Sequence, residues 1–100
     1  ERLLADGTKK LLLKGDILLT PGAADVCAGA ELDLMGVEDQ TVGNPDTQKE
    51  IHRILLGAEI VILEGLVLGA VPEGTYFWAA QPMKMADLDG SPVRPVLLDV

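Results

Sequence analysis

The sequence is short of almost every residue that enzymes ordinarily use for chemistry. Of its 100 residues one is cysteine and one is histidine, and aromatics make up 3%. A single cysteine, Cys27, excludes an intrachain disulfide and any Cys-x-x-Cys motif, and is compatible with a reducing cytoplasm. His52 and the lone serine, Ser91, assemble no catalytic triad, Gly-x-Ser-x-Gly elbow or His-Glu-x-x-His zinc motif. Ser91 lies in a Gly-Ser-Pro turn, which suits it structurally. Positive charge is scarce: 8 basic residues face 16 acidic ones, for a net charge of -8. The longest basic run is Lys9-Lys10, too little to track phosphates, so no nucleic-acid partner is expected. Long apolar runs are missing too. "IVILEGLVLGAV" (60–71) is too short for a bilayer, which needs about 20 residues, and it contains Glu64. The first residues scatter charges among leucines as no signal peptide does. A soluble, cytoplasmic chain with no membrane partner is expected. Because position 1 is Glu rather than Met, the natural start is expected to lie elsewhere.

What is present is a 48% hydrophobic fraction, enough for a globular core in one domain spanning 1–100. "DILLT" (16–20) follows the turn-prone Lys14-Gly15 and predicts a buried strand. Thr20 as cap and Pro21 at the first helical position predict a helix to about Ala28, stopped by Gly29. "LDLMGV" (32–37) predicts a second strand, and 38–46 a loop broken by Gly43-Asn44-Pro45. "TQKEIHRILLG" predicts a short amphipathic helix. Thr47 and Glu50 have capping-box spacing with Asp46 as the alternative cap, Ile51, Ile54 and Leu55 share a face, and Gly57 ends it. "EIVIL" (59–63) predicts a central strand covered on both sides. "TYFWAAQP" (75–82) predicts a strand closed by Pro82, and "VRPVLL" (93–98) an edge strand because of Pro95. Strands alternating with helices and then grouping together imply an α/β or α+β sheet domain.

Glu64 is the residue that asks for an explanation. Eleven of the twelve residues from 60 to 71 are aliphatic or glycine, yet an unpaired buried carboxylate costs several kcal/mol or more. The plain reading ends the strand at Leu63 and lets Glu64 emerge into water beside Gly65. Against that, the apolar run resumes at once in "LVLGAV". His52, in the amphipathic helix, is by position alone a surface or core-margin residue. A simple reversal at Gly57 would bring it level with Ile60 or Val61, so spacing permits a meeting with Glu64 without requiring it. "DLDG" (87–90) resembles the start of a calcium loop but lacks the remaining ligands, so an ordinary turn is expected.

One resemblance organises these segments. The chain shows a histidine-led helix at His52, Glu64-Gly65-Leu66 after an apolar strand, Val71-Pro72-Glu73-Gly74-Thr75-Tyr76, Pro82-Met83-Lys84 and Asp89 to Arg94. In this order they resemble the C-terminal part of the cyclase family of metal-dependent hydrolases, which includes bacterial kynurenine formamidase. "KGDILLT", "PGAADV" and "LMGVEDQTV" upstream are similar to family segments as well. The resemblance implies a swivelling β/β/α fold, partial here, with a mixed sheet and short helices. It also implies a homo-oligomer and a small-molecule amide, formamide or cyclic amide substrate. His52 and Glu64 become ligands of a divalent zinc or manganese ion, which would neutralise the acid. The family's His-x-Gly-Thr-His-x-Asp-x-Pro motif and an Arg-Thr-Gly-Trp stretch are absent from these residues. The implied metal site is therefore incomplete, since a catalytic zinc takes about three protein ligands, and the residues that activate water are expected elsewhere. A shortened, non-catalytic structural or partner-binding module is the alternative. A reading frame continuing upstream into a His-x-Gly-Thr-His segment would favour the enzyme.

Overall fold

The computed structural model describes residues 2–100. After one helical turn, α1 (Arg2–Ala5), the first strand is β1 (Lys10–Leu13). This departs from expectation, because residues 16–20 form no strand. Two leucine-rich runs flank Lys14-Gly15, and Gly15 (φ +100°) turns the chain sharply between them. The first run takes the pairing with the neighbouring strand. The second crosses as a loop, its Leu19 N–H donating to Val42 O, and delivers Thr20 to the next helix. Apolar content marked two candidates and could not rank them.

The helix α2 (Pro21–Gly29) follows its sequence signals. Thr20 Oγ1 accepts from Ala23 N–H at 3.1 Å, and Pro21 occupies the first turn, where its missing N–H is harmless. Lys9 Nζ donates to Ala30 O and Glu31 O, satisfying carbonyls beyond its last turn. Next come β2 (Leu34–Val37), α3 (Gln48–Gly57) and β3 (Val61–Leu63). The start of α3 differs from the expected capping box. Thr47 makes no side-chain cap bond and Asp46 does not replace it. Asn44 Oδ1 instead accepts from Asp46 N–H (2.8 Å), Thr47 N–H (2.9 Å) and the Thr47 hydroxyl (3.0 Å). The Thr47 hydroxyl is engaged as a donor to the Asn44 side chain, which organises the turn entering α3.

Strands β1, β2 and β3 form a parallel sheet in that order, and β4 (Tyr76–Pro82) pairs antiparallel with β5 (Val93–Asp99) as a separate ribbon. The α/β class with short helices holds, with parallel and antiparallel pairing segregated into two sheets. β3 is an edge strand rather than a central one, and Val61 is 54% exposed. The sequence "EIVIL" reports that both faces are apolar; it carries no information on whether both edges are paired. Pro95 does sit in a strand with a single neighbour, facing Ala80.

The layers are helices, parallel sheet, ribbon. Alternation along each strand assigns the two faces. Leu11, Leu13, Met35, Val37 and Ile62 join the core under α2 and α3, which contribute Ala24, Cys27, Ile51 and Leu55. Leu12, Leu34 and Leu63 point the other way, against Trp78, Ala80, Val93 and Leu97 of the ribbon. Gly36 lies at the middle of that second face. A Cβ there would collide with Leu12 Cδ2 and stand 2.7 Å from Leu66 Cδ1, so only glycine lets these side chains meet over the strand.

Candidate functional site

The carboxyl ends of the parallel strands are where open α/β sheets place ligand-binding groups. Here β2 runs into Glu38-Asp39 and β3 into Glu64-Gly65. Gly65 has φ +72°, a left-handed turn that glycine adopts without penalty. It folds "LVLGAV" back over the sheet end as a loop. Leu66 and Leu68 are buried at 9% and 7%, while Val67 is 91% exposed. The apolar run around Glu64 is thus a strand, a turn and a covering loop, and Glu64 occupies the corner.

The loop is tied down by groups that sequence reasoning did not single out. Glu38 accepts from Leu68 N–H at 2.6 Å through one oxygen and from Gly15 N–H at 3.2 Å through the other. Lys14 Nζ donates to Gly69 O and Val71 O. The backbone of Asp39 accepts from Gly65 N–H at 2.8 Å, so the end of β2 directly holds the residue after Glu64. The available signal was positional: "LMGV" is followed at once by two carboxylates at a strand's carboxyl end.

His52 and Glu64 meet. Nε2 lies 3.1 Å from Glu64 Oε2, with the two side chains 30% and 33% exposed. The turn between helix and strand explains this. Residues 58–60 intervene before β3 begins, with Glu59 at φ +61°, so the strand starts later than a reversal at Gly57 implies. About 8 Å of helix from His52 to Gly57 then equals two to three strand residues, level with Leu63 or Glu64.

The other ring nitrogen fixes the proton inventory. His52 Nδ1 is 2.7 Å from Gln48 O, and a carbonyl can only accept, so Nδ1 carries the hydrogen. Nε2 therefore faces a carboxylate either with a proton of its own, as imidazolium, or with a lone pair. With a lone pair on Nε2, the two acceptors at this distance need a proton or a metal cation between them. Bonds of about 2.0–2.2 Å to an imidazole nitrogen and a carboxylate oxygen put neighbouring donor atoms roughly 3.0 Å apart at a right angle and about 3.4 Å apart at the tetrahedral angle. The backbone bond to Nδ1 is the usual outer support of a histidine metal ligand. By donor set and spacing the pair fits two corners of a divalent metal site. Among the described residues no group of three or more His, Cys, Asp or Glu side chains converges on one point.

His52, Glu64, Leu56, Val61, Pro82 and Arg94 line an open groove of about 1180 Å³ running from α3 and β3 to the base of the ribbon. Ser91 lines it too. Cys27 does not; it lies on the core-facing side of α2, and burial pushes its thiol up from the usual range.

Comparison with known proteins bears on this geometry. The chain is 40% identical over 82 residues to the kynurenine formamidase of Salinibacter ruber, covering 81% of this chain and 39% of that protein. Two solved structures superpose with TM-scores of 0.77 at 32% identity over 82% of the chain. One is described as a potential metal-dependent hydrolase with cyclase activity, the other as a predicted metal-dependent hydrolase from Bacillus stearothermophilus, and the chain covers 41% and 40% of them. No family model matches. The fold is an α/β arrangement shared with these cyclase-like hydrolase structures, and the matched part of the chain spans about two fifths of the length of these relatives.

Proposed function

We propose that this chain is the C-terminal part of a metal-dependent hydrolase that cleaves an amide, formamide or cyclic amide bond. The observation that carries the reading is the His52–Glu64 pair, 3.1 Å apart, with Nδ1 committed to Gln48 O. His52 Nε2 and Glu64 Oε2 would hold a zinc or manganese ion as two of its ligands. When bound, such an ion polarises a carbonyl and lowers the pKa of water toward neutrality. The rest of the apparatus on this chain positions. The Gln48 carbonyl sets the imidazole tautomer, the Asp39 backbone and the turn at Gly65 fix the Glu64 corner, and Glu38 and Lys14 hold the loop above it. The groove bordered by Leu56 and Val61 would receive the body of a small amide.

Residues 1–100 would act as a single domain, as one portion of the whole hydrolase domain, in a cytoplasmic homo-oligomer. No helix among the described residues is long and apolar enough to cross a membrane. The second reading, a shortened non-catalytic module, draws on the absence of a third converging ligand among the described residues. Hydrolysis of N-formylkynurenine separates the two. The 100 residues alone are expected to show no detectable turnover, and turnover is expected once the chain is joined to a segment carrying His-x-Gly-Thr-His. Robust turnover by the isolated chain, or none in the joined protein, would contradict the proposal.

A further inference from the structure

Consecutive residues at the carboxyl end of β2 hold the loop that follows Glu64. Val37 O accepts from Leu66 N–H at 3.1 Å, and Asp39 O from Gly65 N–H at 2.8 Å. Between them, the Glu38 side chain accepts from Leu68 N–H at 2.6 Å. Among the described residues, no other side chain accepts from a backbone N–H of residues 65–71. The second oxygen of Glu38 accepts from Gly15 N–H at 3.2 Å. One partly buried carboxylate thus joins the turn after β1 to the loop after β3.

Packing alone holds this loop weakly. Leu66, Leu68 and Val71 line a cavity of about 210 Å³, opposite Leu12 and Trp78. Side chains around a void lack the contacts that would resist a shift. Trp78, in the same wall, has its indole Nε1 buried without an acceptor. Lys14 donates to Gly69 O and Val71 O from an exposed position, where water competes for the same groups. A bond to a charged acceptor is roughly twice as strong as a neutral one, and that of Glu38 to Leu68 is part-buried. The Glu38 carboxylate is therefore the strongest single hold on the loop. Glu64 directly precedes that loop, and Leu66 and Val67 wall the groove together with His52. We propose that Glu38 is the positioning residue of the site: by tying Leu68 to Gly15 it keeps the loop down and the Glu64 carboxylate at His52 Nε2. Glu38 does not line the groove and acts through the backbone. The inference rests on the hydrolase reading only for the metal that the pair would hold. Coupling of this kind is reciprocal, so an ion at Glu64 also steadies Leu68.

The test compares the 100-residue chain with Glu38→Gln at one fixed pH, with zinc as the probe. Glutamine keeps the shape of the side chain but has one acceptor oxygen and no charge. In the metal-free chain, Glu38→Gln should move the His52 Nε2 resonance toward its position in Glu64→Ala. Zinc affinity should fall at least about 10-fold, the scale expected when an outer support of a metal ligand is lost. Zinc should slow exchange of the Leu68 amide in the parent and leave it unchanged in the variant. Leu32→Ala removes a buried side chain of the helix-side core, so it lowers stability without touching these ties. It should match the parent in all three readings. A Glu38→Gln chain with the parent's Nε2 resonance and zinc affinity would overturn the proposal. So would a Leu32→Ala chain that changes both as much, since the effect would then be one of general stability. A parent that takes up no zinc would remove the hydrolase reading, and the metal-free Nε2 comparison would still decide the role of Glu38.

Discussion

The parallel sheet offers leucines on both faces, but its two faces are covered very differently. Toward α2 and α3 the core is sealed: Met35, Ile51 and Leu55 are 0% exposed and Val37 1%. Toward the ribbon the most buried residues are Leu63, Leu66 and Leu68, at 7 to 9%. Helices cover a sheet face with short, locally formed elements whose ends are capped within the chain, by Thr20 and by Asn44. The ribbon covers the other face with two strands that, among the described residues, pair only with each other.

The largest effect expected is at the sealed face. Ile51→Ala or Leu55→Ala should lower stability by about 2–5 kcal/mol, read from urea midpoints. Leu68→Ala on the ribbon side should cost no more than the lower end of that range, because its surroundings are already partly open. Equal losses on the two faces would break the comparison. Glu38→Ala removes a charged acceptor from two backbone N–H groups and should cost roughly 1.5–3 kcal/mol, with faster exchange at the Leu68 amide. Gly36→Ala crowds Leu12 and Leu66 over the sheet centre and should cost about 1–3 kcal/mol, accompanied by a change in Trp78 emission. The smallest effect should come from His52→Ala. A partly exposed pair contributes on the order of 0–1 kcal/mol, so stability should barely move while metal uptake disappears. A large loss of stability there would make the pair a structural bridge instead.

Much of this architecture was legible from local chemistry. Thr20-Pro21 announced α2, the Ile51/Ile54/Leu55 stripe announced α3, and Pro82 and Pro95 marked a strand end and an edge. Each signal works through atoms within a few residues of itself. What was not legible depends on competition between distant or equivalent segments. Leu11–Leu13 took the pairing expected for residues 16–20 because tertiary contact, not composition, chooses between two leucine runs. Asn44 rather than Thr47 organises the entry to α3. β3 proved to be an edge because face burial and edge pairing are independent properties. The site divides the same way. Glu64 stood out as an acid in an apolar run and His52 as the lone histidine; their joint role as metal ligands was read from family likeness, while spacing left their meeting open until residues 58–60 were seen to delay the strand. Glu38 carried only the positional signal of a carboxylate directly after a strand, and Trp78 could be singled out only in three dimensions.

The presence of one histidine makes the decisive measurement simple, since the imidazole nitrogens of a 15N-labelled chain give a single pair of signals. Titration with zinc should move the Nε2 resonance while Nδ1 keeps its hydrogen and its bond to Gln48 O, and Glu64→Ala should abolish the shift. If Nε2 ignores zinc, or responds equally without the Glu64 carboxylate, these two side chains do not share a metal ion and the account of the site is wrong.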